Sequence, residues 1–231
     1  MVIRPVTDVD EYVKVQNILI SVSDKSKLEE FISGLYSGIL PSSPRIFSTG
    51  GTYNKLKDII GKENQNKLID ISKYTGMPET EGGLVKTLHP KIYLGLLTET
   101  HCEEHQKDMK REGAIPIDLV ICNLYPFSDV VKKEKVTFED ARGNVDIGGP
   151  TMIRAAAKNF HRVGVVVDPN DYDKILNVLG LWKGNLNWDI RVELMKKAFK
   201  HTAEYDAAIN KYMEGVDSFN IRKEYTLHGV G

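Results

Sequence analysis

The chain has 231 residues, 41% of them hydrophobic, enough for one sizeable core or a core with a helical appendage. Its 31 Lys and Arg against 32 Asp and Glu leave a formal net charge of −1, without the basic surplus of a nucleic-acid binder, so any phosphate must be held by local geometry. Two cysteines, Cys102 and Cys122, outside any Cys-x-x-Cys pair argue against a disulfide scaffold, and no apolar run approaches the roughly 20 residues of a membrane span.

Residues 1–16 are polar and carry charges where a signal peptide needs an apolar stretch, which predicts a lead-in arm on a soluble, cytoplasmic protein. NILISV (17–22) predicts a first strand. Leu28, Phe31, Ile32 and Leu35 then recur at helical spacing behind Ser23 or Ser26 as caps. RIFST predicts a second strand, Tyr53 to Ile60 a second helix, and KLIDI (67–71) a third strand. The stretch 72–90, rich in Gly, Pro and Thr, is long for an ordinary connection, and such loops are often functional. Residues 101–114 read as an exposed helix, and IDLVICNLYPF (117–127) begins as a buried parallel strand. TFEDARGNV predicts a short helix, and residues 148–160 a glycine turn feeding a helix with Pro150 near its first position. Residues 164–168 are another buried strand, followed by a helix with Asn170 as its cap. From Trp188 to about Tyr212 the pattern is a long helix or a helix pair. Strand and helix alternate, which predicts an α/β fold with a parallel sheet flanked by helices in one compact unit.

Five stretches have residue types suited to chemistry. Ser48-Thr49-Gly50-Gly51-Thr52 leads from a strand into a helix, where backbone N–H groups and the helix dipole hold phosphate; by itself it also reads as an ordinary turn. Ser21-Val22-Ser23-Asp24-Lys25 ends the first strand, so both loops fall at the carboxyl edge of the sheet, where open parallel sheets bind ligands. Lys86 stands among apolar residues in Leu84-Val85-Lys86-Thr87-Leu88-His89-Pro90, as a site lysine or a snorkelling one. Asn123 and Tyr125 end a buried strand, as site residues or as a Tyr-Pro turn. Asp146 precedes Ile147-Gly148-Gly149, and Arg154 and Lys158 project from one face of the helix that follows. His101 and His105, with Cys102 between them, sit at metal-ligand spacing, but that helix offers no further ligand in register. A solvated face is the better reading, with no metal.

In order, SVSDK, STGGT, VKTLHP, CNLYPF, DIGGPT, RAAAKN and KAFKHTAEYDAAINKY resemble the IMP cyclohydrolase domain of the bifunctional AICAR formyltransferase/IMP cyclohydrolase, from about Asn17 to about Met213. No single motif is specific; seven in order are. The resemblance implies a methylglyoxal-synthase-like α/β fold with additional C-terminal helices. The domain would span 17–214, between the arm at 1–16 and a tail at 215–231. It implies closure of FAICAR to IMP with loss of water, the last step of de novo purine synthesis, and a homodimer. The formyltransferase domain is absent from the sequence, so the chain is expected to be a stand-alone cyclohydrolase, with a separate AICAR formyltransferase, or a truncated form. Carried across residue by residue, the resemblance places catalysis on Lys86, Tyr125, Asp146 and Lys158. It places substrate contacts on Ser21, Ser23, Lys25, Thr49, Gly50, Gly51, Thr52, Thr87, Asn123, Ile147 and Gly148. Leu84 stands where the family usually has an arginine, so Lys91 or Arg154 is expected to fill in, or binding to weaken. Ring closure needs neither redox chemistry nor phosphate activation, so no cofactor is expected. A methylglyoxal-synthase-like lyase and a non-catalytic purine-nucleotide sensor are the alternatives.

Overall fold

The computed structural model describes residues 5–78, 80 and 85–229. Strand β1 (Tyr12–Lys14) precedes β2 (Asn17–Val22), helix α1 (Leu28–Gly34) and a π turn over Leu35–Ile39. Then follow β3 (Arg45–Ser48), α2 (Gly50–Ile59), β4 (Leu68–Asp70), α3 (Ile71–Thr75), α4 (Pro90–Leu97) and α5 (Glu103–Glu112). The second half holds β5 (Leu119–Asn123), α6 (Phe127–Val130), α7 (Phe138–Gly143), α8 (Gly148–Lys158), β6 (Gly164–Val166), α9 (Tyr172–Leu181) and β7 (Asn185–Asn187). The 27-residue α10 (Trp188–Glu214) and α11 (Ser218–Arg222) close the chain.

Among the described residues the main sheet has the order β4-β3-β2-β5-β6, with every pairing parallel. The chain runs outward from β2 to β4, then crosses back to β5 on the other side of β2. Two loops therefore diverge at the carboxyl ends of β2 and β5, and that divergence opens a crevice. Both faces of the sheet are covered, which is why the strands are almost wholly apolar. Ile18, Ile20 and Val22 point into one core with Leu28, Phe31, Ile175 and Leu179. Leu19 and, on β5, Val120 and Cys122 point into the other, with Ile92, Leu96 and Ala155, Ala156 and Ala157. The three alanines and Ala198 are buried, so α8 and α10 pack closely over this second face.

The expected arm is not all free. Val13 is buried, and β1 pairs antiparallel with β7. Arg191, fully buried on α10, donates to the carbonyls of Asp10, Glu11, Leu186 and Phe160. Neither three-residue strand has a pattern that periodicity detects. Asn170 does not cap the ninth helix: Asp168 accepts from the Asn170 amide at 2.9 Å, and α9 starts at Tyr172. Helix α8 starts two residues ahead of Pro150, at Gly148. The tail also carries structure, for Glu224 accepts from the Phe138 and Glu139 amides at the start of α7, both at 3.0 Å.

Candidate active site

A cavity of about 500 Å³ opens at the carboxyl ends of β2, β3 and β5. It is within the range of a small-molecule site. Its walls include Ser21, Ser23 and Lys25 after β2, the Thr49–Thr52 turn after β3, Lys86 and Thr87, Asn123 and Tyr125 after β5, and Asp146, Ile147 and Gly148 at the start of α8. Three of the four expected catalytic residues and all the expected substrate contacts thus line one space. Lys158 does not line it. It is exposed at the last position of α8, whereas the cavity meets the first, about 15 Å of helix away. Within one protomer the expected four-residue cluster is a cluster of three.

The end of the cavity where a phosphate is expected follows from α2. Thr49 is extended and its side chain makes no cap hydrogen bond, so the first turn presents backbone rather than side chain to the cavity. Gly50 has φ 55°, a left-handed conformation that glycine adopts without strain, and a Cβ there would lie 3.2 Å from the Lys86 ammonium. The Lys25 ammonium donates to the carbonyls of Val22 at 3.2 Å and Ser23 at 3.3 Å, which fixes a positive charge beside the same turn.

Two expected contact residues have side chains turned to the protein. Asn123 Oδ1 accepts from the amides of Ser23 at 2.7 Å and Asp24 at 2.8 Å, and its Nδ2 donates to Asp24 O at 2.9 Å. Thr52 Oγ1 accepts from Val22 N–H and donates to Val22 O. Asn123 latches the loop after β2 to the end of β5, and Thr52 latches the end of β2 to the first turn of α2. Their spacing from that loop in sequence gives no sign of this.

Asp146 occupies the opposite wall. Its Oδ1 accepts from the Gly149 amide at 2.9 Å, and its own amide donates to the Tyr205 hydroxyl at 2.7 Å. Burial pushes its carboxyl above the ordinary carboxylate range, and the Gly149 and Gly148 amides offset part of that rise. Gly149 is required sterically, because a Cβ would meet Asp146 Oδ2 at 2.5 Å and Leu124 Cδ2 at 2.6 Å. Gly149→Ala is expected to destabilise the fold by about 1–3 kcal/mol and to lower activity, checked by denaturant melts and steady-state rates.

Leu84 lies outside the described residues. Neither expected substitute for the family's arginine lines the cavity. Lys91 donates to Tyr74 O and sits over its ring, and Arg154 sits over the Phe199 ring. The described cations in the cavity wall are Lys25 and Lys86. Sequence reading gave no site role to Val22, Leu88, Gly143, Asn144, Val145, Gly149 and Met152 in that wall; Val22, Leu88 and Gly149 lie inside the SVSDK, VKTLHP and DIGGPT motifs, and the others lie outside the motifs. His101 pairs with Asp10 at 3.1 Å, apart from His105, whose Nδ1 accepts from the Glu99 amide. Glu99, Cys102 and His105 place one donor each within 4.8 Å of one another, but that amide already engages the His105 Nδ1 lone pair.

Comparison with known proteins fits this geometry. The AICARFT/IMPCHase bienzyme family matches residues 156–229, and the MGS-like domain matches residues 42–151. The bifunctional purine biosynthesis protein PurH of Thermoanaerobacter sp. is 48% identical over 195 residues, covering 84% of this chain and 36% of that protein. PurH of Bacillus cereus is 47% identical over 198 residues, covering 86% and 37%. The crystal structure of ForH superposes with a TM-score of 0.73 at 32% identity, covering 86% of this chain and 97% of that one. Both matches and the PurH similarity fall on one continuous part of the chain, which resembles the IMP cyclohydrolase part of PurH. The chain spans a little over a third of the length of the PurH relatives it matches, and the matched stretch is their IMP cyclohydrolase part. The MGS-like match covers the phosphate turn, Lys86, Tyr125 and Asp146, while α10 falls within the bienzyme match. No helix among the described residues is long and apolar enough to cross a membrane.

Proposed function

We propose that the chain is an IMP cyclohydrolase that closes FAICAR to IMP with loss of water, as a cytoplasmic enzyme of purine synthesis. The observation that carries this is the cavity itself: an uncapped helix start with the Lys25 and Lys86 ammonium groups beside it, and, in the same wall, the half-buried Asp146 carboxylate and Tyr125.

The first turn of α2 and Lys25 hold the ribonucleotide 5′-phosphate, which does not react. That anchor lays the carboxamide nitrogen against the formyl carbon on the adjacent ring position, and proximity supplies much of the rate. The nitrogen attacks, a C–N bond forms, and Asp146 takes the nitrogen's proton. Its raised pKa makes it a better base than an ordinary aspartate. The Lys86 ammonium and the Tyr125 hydroxyl stabilise charge on the former formyl oxygen and protonate it. The ring carbon then loses that oxygen as water, while the former formamide nitrogen gives up its proton and a C=N bond forms.

The family resemblance gives Lys158 a catalytic role, yet it stands at the wrong end of α8 for its own cavity. A homodimer reconciles the two, with the partner's Lys158 completing each site.

Incubating the purified chain with FAICAR and following IMP by chromatography tests the assignment. Turnover of dihydroxyacetone phosphate instead supports a methylglyoxal-synthase-like lyase. Saturable IMP binding without turnover supports a sensor.

A further inference from the structure

Two loops must keep a fixed separation for this chemistry, the one that carries Tyr125 and the one that carries Asp146. Both lie in the connection between β5 and β6, separated along the chain by α6 and α7. Tyr205, on the long helix α10, touches both. Its hydroxyl accepts the Asp146 amide at 2.7 Å, and its ring packs edge-on to Phe127, with centroids 6.4 Å apart and planes at 73°. Phe127 is held to the tyrosine loop by its own amide, which donates to Tyr125 O at 2.8 Å. Tyr205 is only 9% exposed, and Tyr212, two turns further along α10, packs edge-on to the other side of the contact at 5.8 Å from Phe127. Phe127 itself is 1% exposed, so the tyrosine loop has little room to shift against α10.

We propose that Tyr205 is a positioning residue that sets the distance between Asp146 and Tyr125, through its hydroxyl on one loop and its ring on the other. This rests on the cyclohydrolase reading of the cavity. It gives α10 a part in the chemistry although no residue of that helix lines the cavity. The Asp146 carboxylate is aimed from two sides. The Gly149 amide holds the side chain and Tyr205 holds the backbone, so loss of the hydroxyl leaves the carboxylate bound to α8 but lets the loop drift. The hydrogen bond and ring contact of Tyr205 reach the Asp146 and Tyr125 loops and not the turn after β3, so ligand binding and turnover should separate.

Tyr205→Phe keeps the ring and removes only the hydroxyl. The expected result is a fall in kcat of about tenfold or more, with the Kd for IMP within about twofold of wild type. Hydrogen exchange of the Asp146 amide, read by NMR on the IMP-bound protein, should lose protection in the same variant. Tyr205→Leu, which also removes the ring contact, should lower kcat further. Unchanged kcat, unchanged Asp146 protection, or equal losses of kcat and IMP affinity would each overturn the proposal; the last would make Tyr205 a scaffold residue only. If the wild-type chain binds IMP but does not convert FAICAR, the cyclohydrolase reading fails. The amide exchange of Tyr205→Phe then still decides whether this tyrosine holds the Asp146 loop.

Discussion

Asp146→Asn should abolish ring closure and stabilise the protein. The asparagine keeps an acceptor for the Gly149 amide, so the start of α8 is preserved, but the base that takes the carboxamide proton is gone. Loss of a positioned general base costs about 10²–10⁴-fold, so kcat should fall by that factor while IMP still binds at the phosphate end. Stability moves the other way. Burial raises the Asp146 pKa in the folded state, which means that the fold disfavours the charged form. This contribution opposes folding above the folded pKa and fades as pH falls through it. Removing the charge at neutral pH therefore raises the melting temperature. The same shift places the acid limb of the wild-type kcat/KM profile above the ordinary carboxylate range, because activity is lost as pH drops through the raised pKa and the base is protonated. A melting curve and a pH–rate profile check the three expectations together.

The second large effect concerns Lys158. Lys158→Ala alone should be nearly inactive, as should Asp146→Asn alone. Mixed and allowed to exchange subunits, the two should recover about one quarter of wild-type activity. Half of the dimers are then mixed, and in each the Asp146 of one protomer meets the partner's Lys158 at one intact site. Failure to recover any activity, with exchange verified by mass spectrometry, would leave the lysine outside the shared site.

The strands of the main sheet were legible because parallel strands covered on both faces are nearly continuous apolar runs, while their order was not, since apolar runs do not say which strand pairs with which. Strands β1 and β7 were not legible, since three residues carry no periodicity and their pairing depends on Arg191, about 180 residues from the carbonyls it grips. The cavity wall was legible because strand-end loops of a parallel sheet converge by topology. The roles of Asn123 and Thr52 were not, for a polar side chain at a strand end serves a ligand or a neighbouring loop with the same residue type. That Lys158 does not line its own protomer's cavity could have been read from the sequence. Twelve residues separate it from Asp146, and once the intervening segment is taken as helix, the rise per residue sets them too far apart to share one site. Tyr205 lay inside the KAFKHTAEYDAAINKY motif, but nothing local links it to a backbone amide 59 residues earlier.

The most direct measurement is the rate at which the chain alone turns FAICAR into IMP, followed by absorbance at saturating substrate against the uncatalysed rate. The account predicts one IMP formed per FAICAR consumed, at a rate that Asp146→Asn removes. IMP bound in the cavity with no IMP formed above the uncatalysed rate would contradict it.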